Sequence, residues 1–186
     1  AHLPYSQTLG PVFGCLGGLS AIVSTQHNVP DNYHPITRSL ERLTRGADAR
    51  TVAVSEGVER AFTGDSTLYK QGQHHQWCTI YNGVHTESFY NKVLHSDPQT
   101  VRKKWQVDAD LIFLNISRYV EAKAQTDLIA AMADVVNTEP DSHLFLVGWG
   151  PLENRLKAAI VKNNLEKQVT VTGKVPTVHE YFALAD

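Results

Sequence analysis

Short apolar runs rich in Val and Ile recur along the chain. Between them lie longer stretches in which apolar residues return every three or four positions. The runs occupy residues 21–24, 51–54, 77–81, 111–116, 143–147 and 169–172. Most are short and rich in Val and Ile, as buried strands of a parallel sheet are. The helical stretches fit between them. Residues 34–45 place Ile36, Leu40 and Leu43 on one stripe, with Arg38, Glu41, Arg42 and Arg45 elsewhere and Gly46 as a stop. Ser55 stands where an N-cap belongs, and Glu56 then complements the helix dipole. Residues 125–137 present Leu128, Ile129, Met132, Val135 and Val136 to a core. Residues 152–163 present Leu152, Leu156, Ala159 and Ile160, with Pro151 suited to the first helical position. Regular alternation of strand and helix predicts an α/β protein with parallel sheet.

Two stretches break the pattern. Residues 63–76 are polar and aperiodic, carry Gly64 and Gly72, and read as a surface loop. Asn82-Gly83 is a tight-turn dipeptide, and residues 85–98 show little pattern and read as a linker. The expected division is 1–85 and 86–186, two α/β domains that are each incomplete. The chain opens without Met, its single Met is Met132, and it stops inside an unfinished helical pattern at Asp186. The expectation is an internal piece of a longer protein.

Composition narrows the class without naming a function. At 186 residues, 42% apolar and 19% charged, the chain is ordinary soluble globular protein. A net charge of −2 gives no general attraction to nucleic acid or anionic lipid, so any phosphate binding must be local. Cys15 and Cys78 make no disulfide framework, and a reducing cytoplasm is expected. No apolar run approaches the roughly 18–20 residues that span a bilayer, and no signal peptide is visible.

The candidate chemistry lies at the carboxyl ends of the predicted strands, where open α/β sheets bind ligands. Arg118 and Lys123 sit on the loop that joins the strand 111–116 to the helix 125–137. Both could reach a pyrophosphate resting at that helix's N-terminus. The plainer alternative is two solvated loop cations, with or without Glu121 as a partner. Gly148 and Gly150 form a tight turn after the run 143–147, either for close approach to a ligand or for packing. They are not a dinucleotide fingerprint, because the third glycine position holds Glu153. His27 ends the first strand, as a cleft acid or base or as a loop histidine bonded to backbone. His74 and His75 are too few for a metal site. Asn115-Ile116-Ser117 matches the glycosylation acceptor but falls in a predicted buried strand. There is no nucleophile elbow, Walker loop or Cys-x-x-Cys pair.

The segments STQHN, VAVSEGV, IYNGVHTESF, ISRYVEAK, LFLVGWGPLENRL, VTVTGKV and YFALAD, in this order, resemble glycosyltransferase family 4. These are retaining enzymes with the GT-B fold of two Rossmann-like domains, and the resemblance covers nearly the whole chain. It implies transfer of a sugar from a nucleotide-diphosphate sugar held by the C-terminal domain to an acceptor on the N-terminal domain. Arg118 and Lys123 match the pair that holds the donor diphosphate, and Gly148 and Gly150 match the glycine turn near the donor. Val175 matches the backbone position beside the nucleotide base. His27 matches a cleft histidine that approaches the reacting sugar and acceptor. Asn82-Gly83 matches a structural turn before the interdomain linker.

Two departures stand out: Ala124 where the family usually has Gly, and His85 where it usually has Asp. The family's donor-binding Glu-x₇-Glu segment would follow Asp186, and its glycine-rich loop would precede Ala1. The resemblance implies a metal-independent reaction with no cofactor beyond the nucleotide-diphosphate sugar as substrate. The nearest thing to a metal-binding Asp-x-Asp is Asp108-Ala109-Asp110, read as an acidic lead into a strand. Implied acceptors are lipid, polysaccharide or protein, not nucleic acid. The implied location is cytoplasmic, with room for peripheral membrane contact through the part upstream of Ala1. Two alternatives share the fold: a non-catalytic nucleotide-binding or interaction module, and a sugar-nucleotide epimerase. The chain alone is expected to have little transfer activity and to expose apolar surface on its last sheet edge.

Overall fold

The computed structural model describes residues 4–186. They form two compact units, one extending to Val84 and the other His85–Asp186. The first contains α1 (Pro4–Leu16), β1 (Val23–Gln26), α2 (Pro35–Thr44), β2 (Arg50–Ala53), α3 (Glu56–Thr63) and β3 (Trp77–Thr79). Its three strands pair in parallel in the order β1-β2-β3. Ser55 caps α3 as its position predicts, accepting from Val58 N–H at 3.3 Å, and Gly64 ends that helix in the left-handed region at φ +85°.

Helix α2 overturns one expectation. Ile36, Leu40 and Leu43, the predicted core stripe, are 65%, 44% and 81% exposed, whereas Thr37 and Glu41 are buried. The reason lies on β1, whose inward side chains are Ser24 and Gln26. Tyr33 donates its hydroxyl to Gln26 Oε1 at 2.6 Å, and Gln26 Nε2 donates to Glu41 Oε1 at 3.4 Å. A polar strand face receives the polar face of the helix, because buried polar groups need partners. Burial raises the Glu41 carboxyl above its usual range, Arg45 opposes the rise, and Asp48 adds to it. The folded state therefore holds this proton more tightly than the unfolded chain. Its contribution to stability is complete below the unfolded value near 4.3 and fades as pH climbs through the folded value. Glu41→Gln keeps the acceptor and removes the charge. It is expected to raise the melting temperature by a few degrees at pH 7 and leave it unchanged at pH 4, as thermal scans at both values would show.

The second unit holds α4 (Thr86–Leu94), α5 (Pro98–Trp105), β4 (Leu111–Ile116), α6 (Gln125–Thr138), β5 (Ser142–Val147), α7 (Glu153–Lys162), β6 (Val169–Gly173) and α8 (His179–Leu184). The strands are again parallel, ordered β4-β5-β6. β5 is buried at every position. Leu144 and Leu146 face a core with Tyr119, Ile129, Met132 and Leu156, while Phe145 and Val147 face Val101, Ile112, Tyr181 and Leu184. Two parallel α/β sheets are what the alternating pattern predicts.

Three local expectations fail. The supposed linker 85–98 is largely α4, which packs on α8 with the Phe89 ring 5.1 Å from that of His179 and 5.0 Å from that of Phe182. Only Phe89 and Val93 on α4 are even half-buried, too narrow a stripe to register as a period. Pro151 lies in a turn before α7 rather than at its first position, where Leu152 N–H is spent on Tyr119 O at 3.2 Å. The exposed apolar edge is that of β4, with Phe113 and Ile116, and not that of β6, where Val169 is buried and Val171 partly so. Among the described residues no helix is long and apolar enough to cross a membrane.

Candidate functional site

Because β4, β5 and β6 run in parallel, the loops leaving them emerge on one edge, and they are stitched together there. Ser117 N–H donates to Val147 O at 3.0 Å, Gly148 N–H to Gly173 O at 3.2 Å, and Tyr119 N–H to Trp149 O at 3.0 Å. Tyr119 anchors the first loop. It is fully buried, and its hydroxyl donates to Leu146 O at 2.6 Å. Burial pushes that hydroxyl up to about 12.

The stitching explains both glycines. Gly148 has φ +150°, and a Cβ there would lie 1.9 Å from Ser117 O. A Cβ on Gly150 would lie 2.4 Å from Tyr119 O. Of the two readings offered for this turn, loop-to-loop packing is the one the geometry carries. Val175 follows Gly173, which has φ +71°, and its side chain is packed on the apolar cluster around Phe145.

Arg118 is exposed, with its guanidinium carbon 5.2 Å from the centroid of the exposed Trp149 ring, a cation–π contact. Lys123 is exposed in the 3₁₀ turn Glu121–Lys123. Glu121 pairs with Arg155 across 34 positions of sequence and not with either cation, so of the plain alternative the solvated exposure holds and the Glu121 pairing does not. None of the ion pairs among the described residues includes Arg118 or Lys123. Ala124 takes the left-handed conformation at φ +49°. That region favours glycine, which agrees with Ala124 standing at a position the resemblance assigns to Gly. Two exposed cations and the start of a 14-residue helix make an edge suited to an anion.

Gln125 was not among the sequence candidates. It is 1% exposed, and its Nε2 donates to Ser117 Oγ and to Arg118 O, each at 2.8 Å. Its only signal in the sequence is a polar residue opening an apolar helix, and such residues usually face solvent. His27 lies exposed just beyond β1, in the first unit. His74 and His75 are exposed. Among the described residues, no group of three or more His, Cys, Asp or Glu could hold a metal ion.

Residues 97–186, which carry the whole second sheet and its three loops, match the family model of glycosyl transferases group 1. N-acetyl-alpha-D-glucosaminyl L-malate synthase of Bacillus anthracis is 27% identical over 173 residues, which is 92% of this chain and 43% of that protein. A shorter match, 37% over 62 residues, is to the uncharacterized glycosyltransferase MJ1059 of Methanocaldococcus jannaschii, covering 33% of this chain and 15% of that one. Among solved structures, Anabaena HepE in complex with UDP-glucose superposes with a TM-score of 0.77 at 19% identity, covering 99% of this chain and 50% of that one. A UDP-forming trehalose-phosphate synthase from Burkholderia xenovorans gives 0.74 at 10% identity, covering 98% and 49%. The chain thus spans about half the length, or less, of the proteins it resembles. The fold is of the GT-B class.

Proposed function

We propose that the second unit binds the diphosphate of a nucleotide-diphosphate sugar, and that the chain is part of a retaining, metal-independent hexosyltransferase of glycosyltransferase family 4. The observation that carries this reading is the pair Arg118 and Lys123, outside every ion pair among the described residues, on the carboxyl edge of a parallel sheet. The group 1 match over this unit supports it. So does UDP-glucose in the structurally similar HepE.

In this reading residues 86–186 serve the donor and 1–85 the acceptor. Arg118 and Lys123 grip the diphosphate. Val175 offers backbone beside the base, Gly148 and Gly150 keep the loops close enough to do this, and His27 is the group that approaches the reacting sugar and acceptor. The donor itself supplies the transferable group, with no further cofactor, and the acceptor is a lipid, polysaccharide or protein. As the sugar–oxygen bond breaks, negative charge grows on the departing nucleotide diphosphate. Fixed cations and a helix start stabilise that charge without reorganising. Charge-assisted hydrogen bonds contribute about 1.5–3 kcal/mol each, so two account for much of the roughly 8 kcal/mol of a micromolar complex. The share of the relatives' length that the chain covers supports a longer parent protein, which acts from the cytoplasm or a membrane surface.

The test uses the parent protein and a UDP- or GDP-sugar, following release of nucleotide diphosphate. Arg118→Ala and Lys123→Ala are each expected to lower kcat/KM at least about tenfold, near 1.4 kcal/mol of transition-state stabilisation. Unchanged turnover in both variants would refute the donor role.

A further inference from the structure

Gln125 combines features that a residue of purely structural value would not need. Its side chain is 1% exposed, at the first position of α6. Both hydrogens of its amide are committed: one to Ser117 Oγ, which donates onward to Asn115 Oδ1 at 2.8 Å, the other to the main-chain oxygen of Arg118. Its Oε1, however, is buried with no partner. An orphaned buried acceptor is a cost. Turning the amide over would set Oε1 against the Arg118 carbonyl, oxygen to oxygen, so the bond to Arg118 dictates the orientation and leaves Oε1 stranded. A Leu or Met at this place would bury the same volume without that cost. The two bonds that the amide donates offset that cost, and one of them holds the main chain of Arg118.

We propose that Gln125 is a positioning residue: its buried amide clamps the backbone of Arg118 to the start of α6, so that the guanidinium and the helix N-terminus address one diphosphate. Main-chain bonds already tie the loop on either side of Arg118, through Ser117 N–H to Val147 O and Tyr119 N–H to Trp149 O, and Val120 N–H donates to Arg118 O; the Gln125 amide adds the tie from that carbonyl to the start of α6. The Arg118 side chain is exposed, joins no ion pair among the described residues, and lies over the Trp149 ring. Trp149 is itself half exposed. Without the clamp, the Arg118 carbonyl loses its side-chain tie to α6, and the guanidinium keeps its cation–π contact with Trp149. This inference rests on the donor reading above, and its test separates the two.

Binding of UDP and of GDP to the full 186-residue chain is measured by calorimetry for the wild type, Gln125→Met, Arg118→Ala and the double variant, with melting temperatures for each. Gln125→Met keeps the volume and removes both the donor and the stranded oxygen. The expected result is binding weakened about fivefold to tenfold, with a melting temperature equal to or above the wild type's. The double variant is expected to bind no worse than Arg118→Ala alone, because one residue acts through the other. A fall in melting temperature on Gln125→Met would mark the amide as structural and overturn the proposal. Wild-type binding by Gln125→Met, or losses that simply add, would overturn it too while leaving the donor reading intact, provided Arg118→Ala binds weakly. No binding by the wild type, or no effect of Arg118→Ala, would overturn both.

Discussion

Gly148→Ala is expected to unfold the second unit under conditions in which the native chain is folded. The new methyl would lie 1.9 Å from Ser117 O, and the obstacle is backbone rather than a side chain that can swing away. That backbone is also committed on both sides, through Ser117 N–H to Val147 O and Gly148 N–H to Gly173 O. A φ of +150° adds strain that only glycine escapes. Relief requires parting the loops of all three strands, so the expected loss is more than about 4 kcal/mol, the range reserved for specific structural failures. Gly46→Ala is the control, because a Cβ at Gly46 meets nothing within 4 Å and should change stability by less than about 0.5 kcal/mol. Urea titrations followed by far-UV circular dichroism compare the two variants. Equal midpoints would mean that the loops are not packed as described, and the proposed diphosphate edge would go with them.

The second large effect is acid loss of stability centred on His143. This side chain is the second of β5, at the end of the sheet opposite the loops, and is 4% exposed. Its Nε2 lies 2.9 Å from Thr170 Oγ1. Burial lowers its pKa to about 4, with a hydrogen bond to the Lys167 main chain working the other way. The folded state therefore keeps the imidazole neutral, whereas the unfolded chain protonates it near 6.5. The stabilisation is present above 6.5 and drains away as pH falls from there toward 4. At about 1.4 kcal/mol per unit of separation, the loss is on the order of 3 kcal/mol. His143→Gln retains a group that can meet Thr170 and removes the titration. Its urea midpoint is expected to vary much less than the wild type's between pH 7 and pH 4. Parallel curves for the two proteins would assign the acid sensitivity elsewhere. Glu41 in the first unit has the opposite sign, so acidification should pull the unfolding transitions of the two units apart.

Legibility followed the range of the interactions. β4 was readable to the residue as Leu111–Ile116, because an apolar run broken only by Asn115 and bounded by Asp110 and Ser117 is a property of neighbouring positions. Arg118 and Lys123 could be proposed for the same reason: a loop after a parallel strand must open on the carboxyl edge. Helix α2 was readable as a helix but not as to its inward face, since that depends on Ser24 and Gln26 coming from another element. Helix α4 was missed because its stripe is only Phe89 and Val93, and its partner α8 lies some ninety residues on.

What the order and period of residues alone determined is the alternation of strand and helix over most of the chain, the parallel arrangement of the strands, and the edge on which cationic and glycine-bearing loops gather. Those properties follow from backbone geometry repeating over a few residues. Only the tertiary structure decided that Gly148 and Gly150 make room for Ser117 and Tyr119, that Glu121 turns to Arg155 and leaves Arg118 and Lys123 unpaired, and that the Gln125 amide holds the Arg118 carbonyl. Each is settled by which distant backbone or charge arrives alongside, and short-range periodicity carries no record of that.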